Sequence, residues 1–449
     1  MKLRILAAIL PVIAVSAFAS LGFDDYVAQG RAAFLASDPV RAESAYNQAC
    51  PADLVSTYPV PRVVTCENLL ATVDEARGNL ASAEQRYLHA VADADQAGPA
   101  YQPLYCAKLI DLGEYYHRRG RTSEAESSLL KALELARNFT AVKPELLPEA
   151  LNRLGGLYAN SAQPERGRAP LNEAIAMLTA SAGIQPSPAM TGELAHALDA
   201  LGMIEIAAGH QREAESNLRQ AVALATSAFG EDHPVIARYE TNLALVLMLE
   251  GRFSNADLLL RRAQLVVESR QGPSASGLGV IYAEMSTAAS AQGKLMQAVE
   301  FAQRAITVLK AQPVPDKKAI AMAEVTLGNA YLHGHKTAEA ETILPDAVQA
   351  ERRLVTNPNA VAAAIQSLAQ LREQQHDSRA AEALYREAIG IYESDAASSP
   401  SPFLAPALRA LATLLKHNGG SKIEVRALET RARDVLESAS SAKPANPRA

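Results

Sequence analysis

The side chains able to do chemistry are scattered along this chain, and their spacing decides what that chemistry could be. His333 and His335 could ligate a metal, but no carboxylate stands at ligand spacing beside them. His210, His335, His376 and His417 fall at one recurring place, in or beside a short polar turn, where solvated histidines are expected. Glu213-Ala-Glu215 and Glu339-Ala-Glu341 also recur at one place and read as the polar face of a helix rather than as acid/base pairs. Gly272-Pro-Ser-Ala-Ser-Gly277 lacks the spacing of a nucleophile elbow, and the chain has no H-E-x-x-H, phosphate loop or dinucleotide fingerprint. Cys50, Cys66 and Cys106 are separated by 16 and 40 residues with no nearby histidine, which is not a zinc pattern. Cys50 and Cys66 could form a disulfide in an oxidising compartment, or the cysteines could be buried or reduced thiols. No catalytic residue, metal or cofactor is therefore expected.

The elements that position these residues are written as a repeat. Leu201, Gly202, Gly209, Ala214, Leu218 and Ala221 return 42 residues later as Leu243, Ala244, Gly251, Ala256, Leu260 and Ala263. The apolar positions are three, four and seven apart, which is helical spacing, and a polar turn splits each copy into a helix A and a helix B. Taking the small residue after the helix A leucine as marker, ten copies lie at Gly30, Ala71, Gly113, Gly155, Gly202, Ala244, Ser286, Gly328, Ala369 and Ala412. A hairpin of this kind cannot bury its apolar face alone and must stack on its neighbours. In the fourth copy Pro164 and Gly167 replace the usual turn and alanine, so its helix B is expected to start late or distorted. Proline marks every linker, where it stops one helix and seats the next. The longest linker, Ala180–Met190, is expected to be a seam between residues 23–180 (copies one to four) and 190–437 (copies five to ten). Residues 438–449 are small and polar and are expected to be disordered.

Met1–Ala19 carries Lys2 and Arg4, an apolar run, and Ala17-Phe18-Ala19, the pattern of a cleaved signal peptide. A periplasmic or secreted protein beginning at Ser20 or Leu21 is expected, with no membrane insertion after cleavage. The formal charge is −6 and no basic block or aromatic-basic stripe occurs, so nucleic acid is not an expected partner.

The repeat resembles the tetratricopeptide repeat, with Leu-Gly in helix A and a small residue, a large one and a small one at fixed places in helix B. Its 42-residue period and the linker Gly230-Glu-Asp-His-Pro234 look like the kinesin-light-chain type. The resemblance implies an all-α, right-handed α-solenoid of about twenty helices, and the N-terminal signal pattern adds the expectation that it is exported from a bacterial cytoplasm. It implies a non-enzymatic scaffold whose concave face, lined by helix A, binds a protein or peptide segment. Carried over from the family, the groove positions are Asn152, Arg153, His196, Asp199, Arg238, Thr241 and Asn242, followed by Asn329. Side-chain amides there would hold an extended backbone. With Asp199 the only acid among these positions, the patch reads as net positive and suited to carboxylates. The alternative is a structural role by self-association of the stack into a homo-oligomer.

Overall fold

Where two helices cross, the residue at the crossing sets how closely they approach. At Gly202 a Cβ would stand 2.7 Å from Leu218 Cγ, so the glycine lets helix B's leucine seat tightly against the helix A backbone. The same meeting recurs at Gly113 on Leu129, Gly155 on Leu171 and Gly328 on Leu344. Each repeated contact closes one hairpin. The computed structural model describes residues 22–36, 38–51, 59–182, 187–354, 358–394 and 403–441. The expected signal peptide and residues 442–449 lie outside them.

Among the described residues ten hairpins follow in chain order. The first four are α1 (Phe23–Leu35) with α2 (Pro39–Ala49), α3 (Val60–Ala76) with α4 (Leu80–Gln96), α5 (Gln102–Arg118) with α6 (Thr122–Ala136), and α7 (Leu146–Ala159) with α8 (Arg168–Ala182). Then come α9 (Pro188–Ala208) with α10 (Gln211–Phe229), α11 (Pro234–Leu249) with α12 (Phe253–Gln271), and α13 (Gly277–Ala291) with α14 (Leu295–Lys310). In the eighth hairpin α15 (Lys317–His333) pairs with a split partner, α16 (Thr337–Glu341) and α17 (Leu344–Leu354). The last two are α18 (Pro358–Gln374) with α19 (Ser378–Ser394), and α20 (Leu404–His417) with α21 (Lys422–Ser441). The described residues contain no strand, and the hairpins stack as a right-handed α-solenoid. No described helix is long and apolar enough to cross a membrane.

Eight of the described turns obey one backbone rule. Gly78, Gly120, Gly209, Gly251, Gly293 and Gly419 take positive φ between helix A and helix B, and His335 and His376 hold that same left-handed place at φ 54° and 63°. Linkers add helix capping to positive-φ glycines such as Gly98, Gly230 and Gly272. His233 Nδ1 accepts from the Val235 amide at 3.3 Å, with Pro234 in the first turn of α11, and Asp316 caps α15 through the Lys318 and Ala319 amides. Asp232, one residue before the His233 cap, pairs with Arg270 at 3.0 Å.

In the fourth hairpin Pro164–Gly167 forms a 3-10 turn ahead of α8, as the replaced residues imply. A Cβ on Gly167 would stand 2.6 Å from the Gly155 carbonyl oxygen. The split between α16 and α17 departs from the repeat pattern. Pro345 cannot donate to the Glu341 carbonyl, and its ring crowds that oxygen, so helix B breaks there. Residues 183–186 of the expected seam lie outside the described residues. On either side Leu171 packs in one apolar cluster with Ala197, Ala200, Leu201 and Ile204, carrying the core across the linker. The tail expected from residue 438 is instead helical through Ser441.

Two further contacts shape the stack. Cys50, at the end of α2, is disulfide-bonded to Cys66 in α3, with Cα atoms 5.7 Å apart. Cys106 is a buried thiol that donates to the Ala132 carbonyl at 3.2 Å, and burial pushes it up to about 12. Successive turns of the superhelix also touch: a Cβ on Gly78 would be 3.2 Å from Val314 Cγ2, six linkers further along. Beside that contact a cleft of about 1100 Å³ separates Tyr115, Arg121 and Arg166 from Pro315 and Lys318.

Candidate functional site

Each helix A shows the stack one face, and residues two before, six before and one after the marker recur along it. In α7 the residue two before the marker is Arg153. Its guanidinium bonds the Glu193 carboxylate at 2.9 and 3.1 Å, pairs with Glu114, and lies 4.0 Å from Glu149. It also meets His196 Nδ1 at 3.0 Å. A guanidinium has only donors, so that nitrogen must accept, which requires a neutral ring. Burial, then Arg153 and Arg238, hold His196 well below the usual histidine range. Glu149 is pushed up to about 7, first by burial and then by Glu193, Asp111 and Glu114 against the pull of Arg153.

These contacts correct the expected site. Asn152, Asp199 and Thr241 are buried rather than presented. Asn152 donates to the Glu193 backbone and carboxylate, both at 2.9 Å, and Thr241 donates to the Ala237 carbonyl at 2.7 Å. Asp199 accepts from Asn242 at 2.8 Å and stands 3.7 Å from Arg238. Arg153 is spent on Glu193, Glu114 and His196, and His196 on Arg153. The patch is not net positive, because Glu114, Glu149 and Glu193 surround its central arginine. Glu149, six before its marker, and Glu114, one after the preceding marker, lie on this same helix A face although they were not among the expected residues, and Glu193, nine before the next marker, lies outside those positions. What could have found them is opposite charge one repeat apart, a spacing also seen in Arg118–Glu75, Arg121–Glu84 and Arg252–Glu215.

Of the expected residues, Arg238 remains open, with 51% of its side chain exposed, and Asn242 and Asn329 remain partly so. The open face then changes character. From the sixth to the eighth copy this face holds Leu245 one after its marker, Leu249 a helical turn beyond it, and Val280 and Met322 six before theirs, and the last three are 39%, 49% and 47% exposed. Asn329 adds a buried Oδ1 with no hydrogen-bond partner among the described residues.

The other recurrent polar residues tie helices together. Glu215 bonds Arg219 and Arg252, Glu341 bonds Arg372, and His210 meets Glu205 at 2.7 Å. Arginines of the cleft stack on tyrosines and pair with glutamates, Arg121 with Tyr116 and Glu84, Arg166 with Tyr158 and Glu126. Among the described residues no group of three His, Cys, Asp or Glu is placed to hold a metal ion.

The class of fold this geometry defines is that of a tetratricopeptide-repeat solenoid. Sequence models described as tetratricopeptide repeat match residues 194–235 and 109–139. No curated protein matches the chain. Among solved structures, a Rap protein complexed with competence and sporulation factor is similar, at 13% identity and TM-score 0.54 over 83% of this chain and 98% of that one. The apo form of RapI is similar at 12% identity and TM-score 0.50, over 82% and 97%. At such identities the likeness is one of fold.

Proposed function

We propose that the protein is a non-enzymatic scaffold that holds an extended protein segment along the helix A face, from Arg238 and Asn242 through Val280 to Asn329. The observation that carries this reading is the run of open groove positions from the sixth to the eighth copy, where Leu249, Val280 and Met322 stay exposed while the fourth and fifth copies are closed by their own ion pairs. Tetratricopeptide repeats in the chain and the likeness to a Rap protein complexed with competence and sporulation factor support it. Export to a bacterial periplasm or beyond is part of the proposal, supported by the N-terminal signal pattern and by a disulfide, which persists in oxidising compartments.

A photo-crosslinking residue at Val280 should capture a partner in the native host, whereas one at Leu130, on the exposed face of α6, should not. Adducts at Leu130 with none at Val280 would place binding on the outer face and overturn the reading. A second reading, end-to-end self-association, is favoured by Ile423 on the terminal helix α21, which is 83% exposed. Sedimentation velocity separates the two, since Ile423→Glu should dissolve any concentration-dependent oligomer made through that end.

A further inference from the structure

One carboxylate in the open part of the groove has no counterpart. Glu284 lies in α13 two residues before the marker Ser286, the place that Arg153 occupies in α7. Arg153 is caged by the residue one after the preceding marker (Glu114) and by those six and nine before the following marker (His196 and Glu193). The register puts Leu245, Met322 and Ala319 at these places around Glu284. None of the three can donate a hydrogen bond or carry charge. Glu284 accordingly has no ionic or hydrogen-bonding partner among the described residues, and the loss of hydration alone pushes it up to about 7. A charge left unpaired among apolar groups costs stability. The arrangement is complementary to a ligand that brings both a cation and apolar surface.

We infer that the groove of the sixth to eighth copies recognises a peptide segment in which a lysine, arginine or free N-terminal amine is flanked by apolar side chains, the cation pairing with Glu284 and the apolar side chains packing on Leu249, Val280 and Met322. This rests on the scaffold reading above and reverses the sign of ligand expected from the sequence. Charge-assisted hydrogen bonds in a poorly hydrated groove are the strong ones, so the cation selects while apolar contact holds. Methionine adds tolerance, because its unbranched chain repacks around different neighbours. The acidic balance of the whole chain favours approach of a basic segment.

The test is selection of a random-peptide phage library on the full chain, on Glu284→Lys, and on Met322→Lys. The parent should enrich peptides carrying Lys or Arg beside apolar residues. Glu284→Lys should enrich Asp or Glu in their place, and Met322→Lys, which supplies the missing partner from within, should lose the cationic peptides. For a peptide selected on the parent, Glu284→Gln should weaken binding roughly tenfold or more. Glu284→Gln should melt no lower than the parent, which separates lost recognition from lost fold. Enriched peptides without a cation, or a preference unmoved by Glu284→Lys, would overturn this inference and leave the scaffold reading standing. No enrichment on any of the three would overturn both.

Discussion

At the scale of single residues, the balance between charge and burial explains why the groove's polar half is closed. Asp199 is buried, and burial raises its pKa while Arg238 and Asn242 lower it. Taken only as positions on a groove face, Arg238 and Asn242 would be expected to tolerate alanine with folding nearly intact. With the contacts in view, the double variant strips both partners from a buried carboxylate and should cost about 1–3 kcal/mol, read as a shift in denaturation midpoint. Glu284 gives a prediction of opposite character. Its carboxyl titrates near 7 in the folded chain against 4.5 for an ordinary glutamate, so the folded state binds the proton more tightly. Its contribution is fully favourable below 4.5 and is lost as pH rises through 7. Glu284→Gln should therefore match the parent's stability in acid and exceed it above neutral pH; a flat difference would show that Glu284 has a partner. The candidate site was only partly legible for a related reason. Position within the repeat tells which face a residue is on, but not whether Glu193 or Glu114, a copy away, has reached across to use it.

At the scale of elements, the register was legible because packing leaves it little freedom. Gly202 must be small for Leu218 to seat, and the sequence shows both. Gly202→Leu should overpack that crossing by about 1–3 kcal/mol or more, and an unchanged melting curve would mean the register is misplaced. Less visible were the places where local backbone chemistry overrides the repeat. Pro345 sits inside the pattern of a helix B and breaks it into α16 and α17, although the surrounding apolar positions still keep time. His335 and His376 stand where other copies use glycine. A left-handed conformation strains a residue with a Cβ, so His335→Gly should stabilise by roughly 0.5–1 kcal/mol, the gain being reduced by glycine's greater freedom when unfolded. Thermal melting of that variant checks the sign.

At the scale of the whole molecule, stability in a stack is passed from neighbour to neighbour, so end copies lack one source of support. The contact of Gly78 with Val314 departs from that one-dimensional scheme by joining an early turn to a late linker. Val314→Asp should accordingly broaden the unfolding transition, as measured by calorimetry, by letting the two halves melt more independently. The disulfide between Cys50 and Cys66 acts at one end only. It ties α2 to α3 across a separation of 16 residues, a loop for which chain-entropy reasoning gives about 3 kcal/mol. The other end, α20 and α21, has no such tie among the described residues. Fraying ends are where proteases enter. The chain should therefore age directionally: its fragments in an oxidising compartment should keep the first hairpins and shorten from the last, and reduction should abolish that polarity of decay.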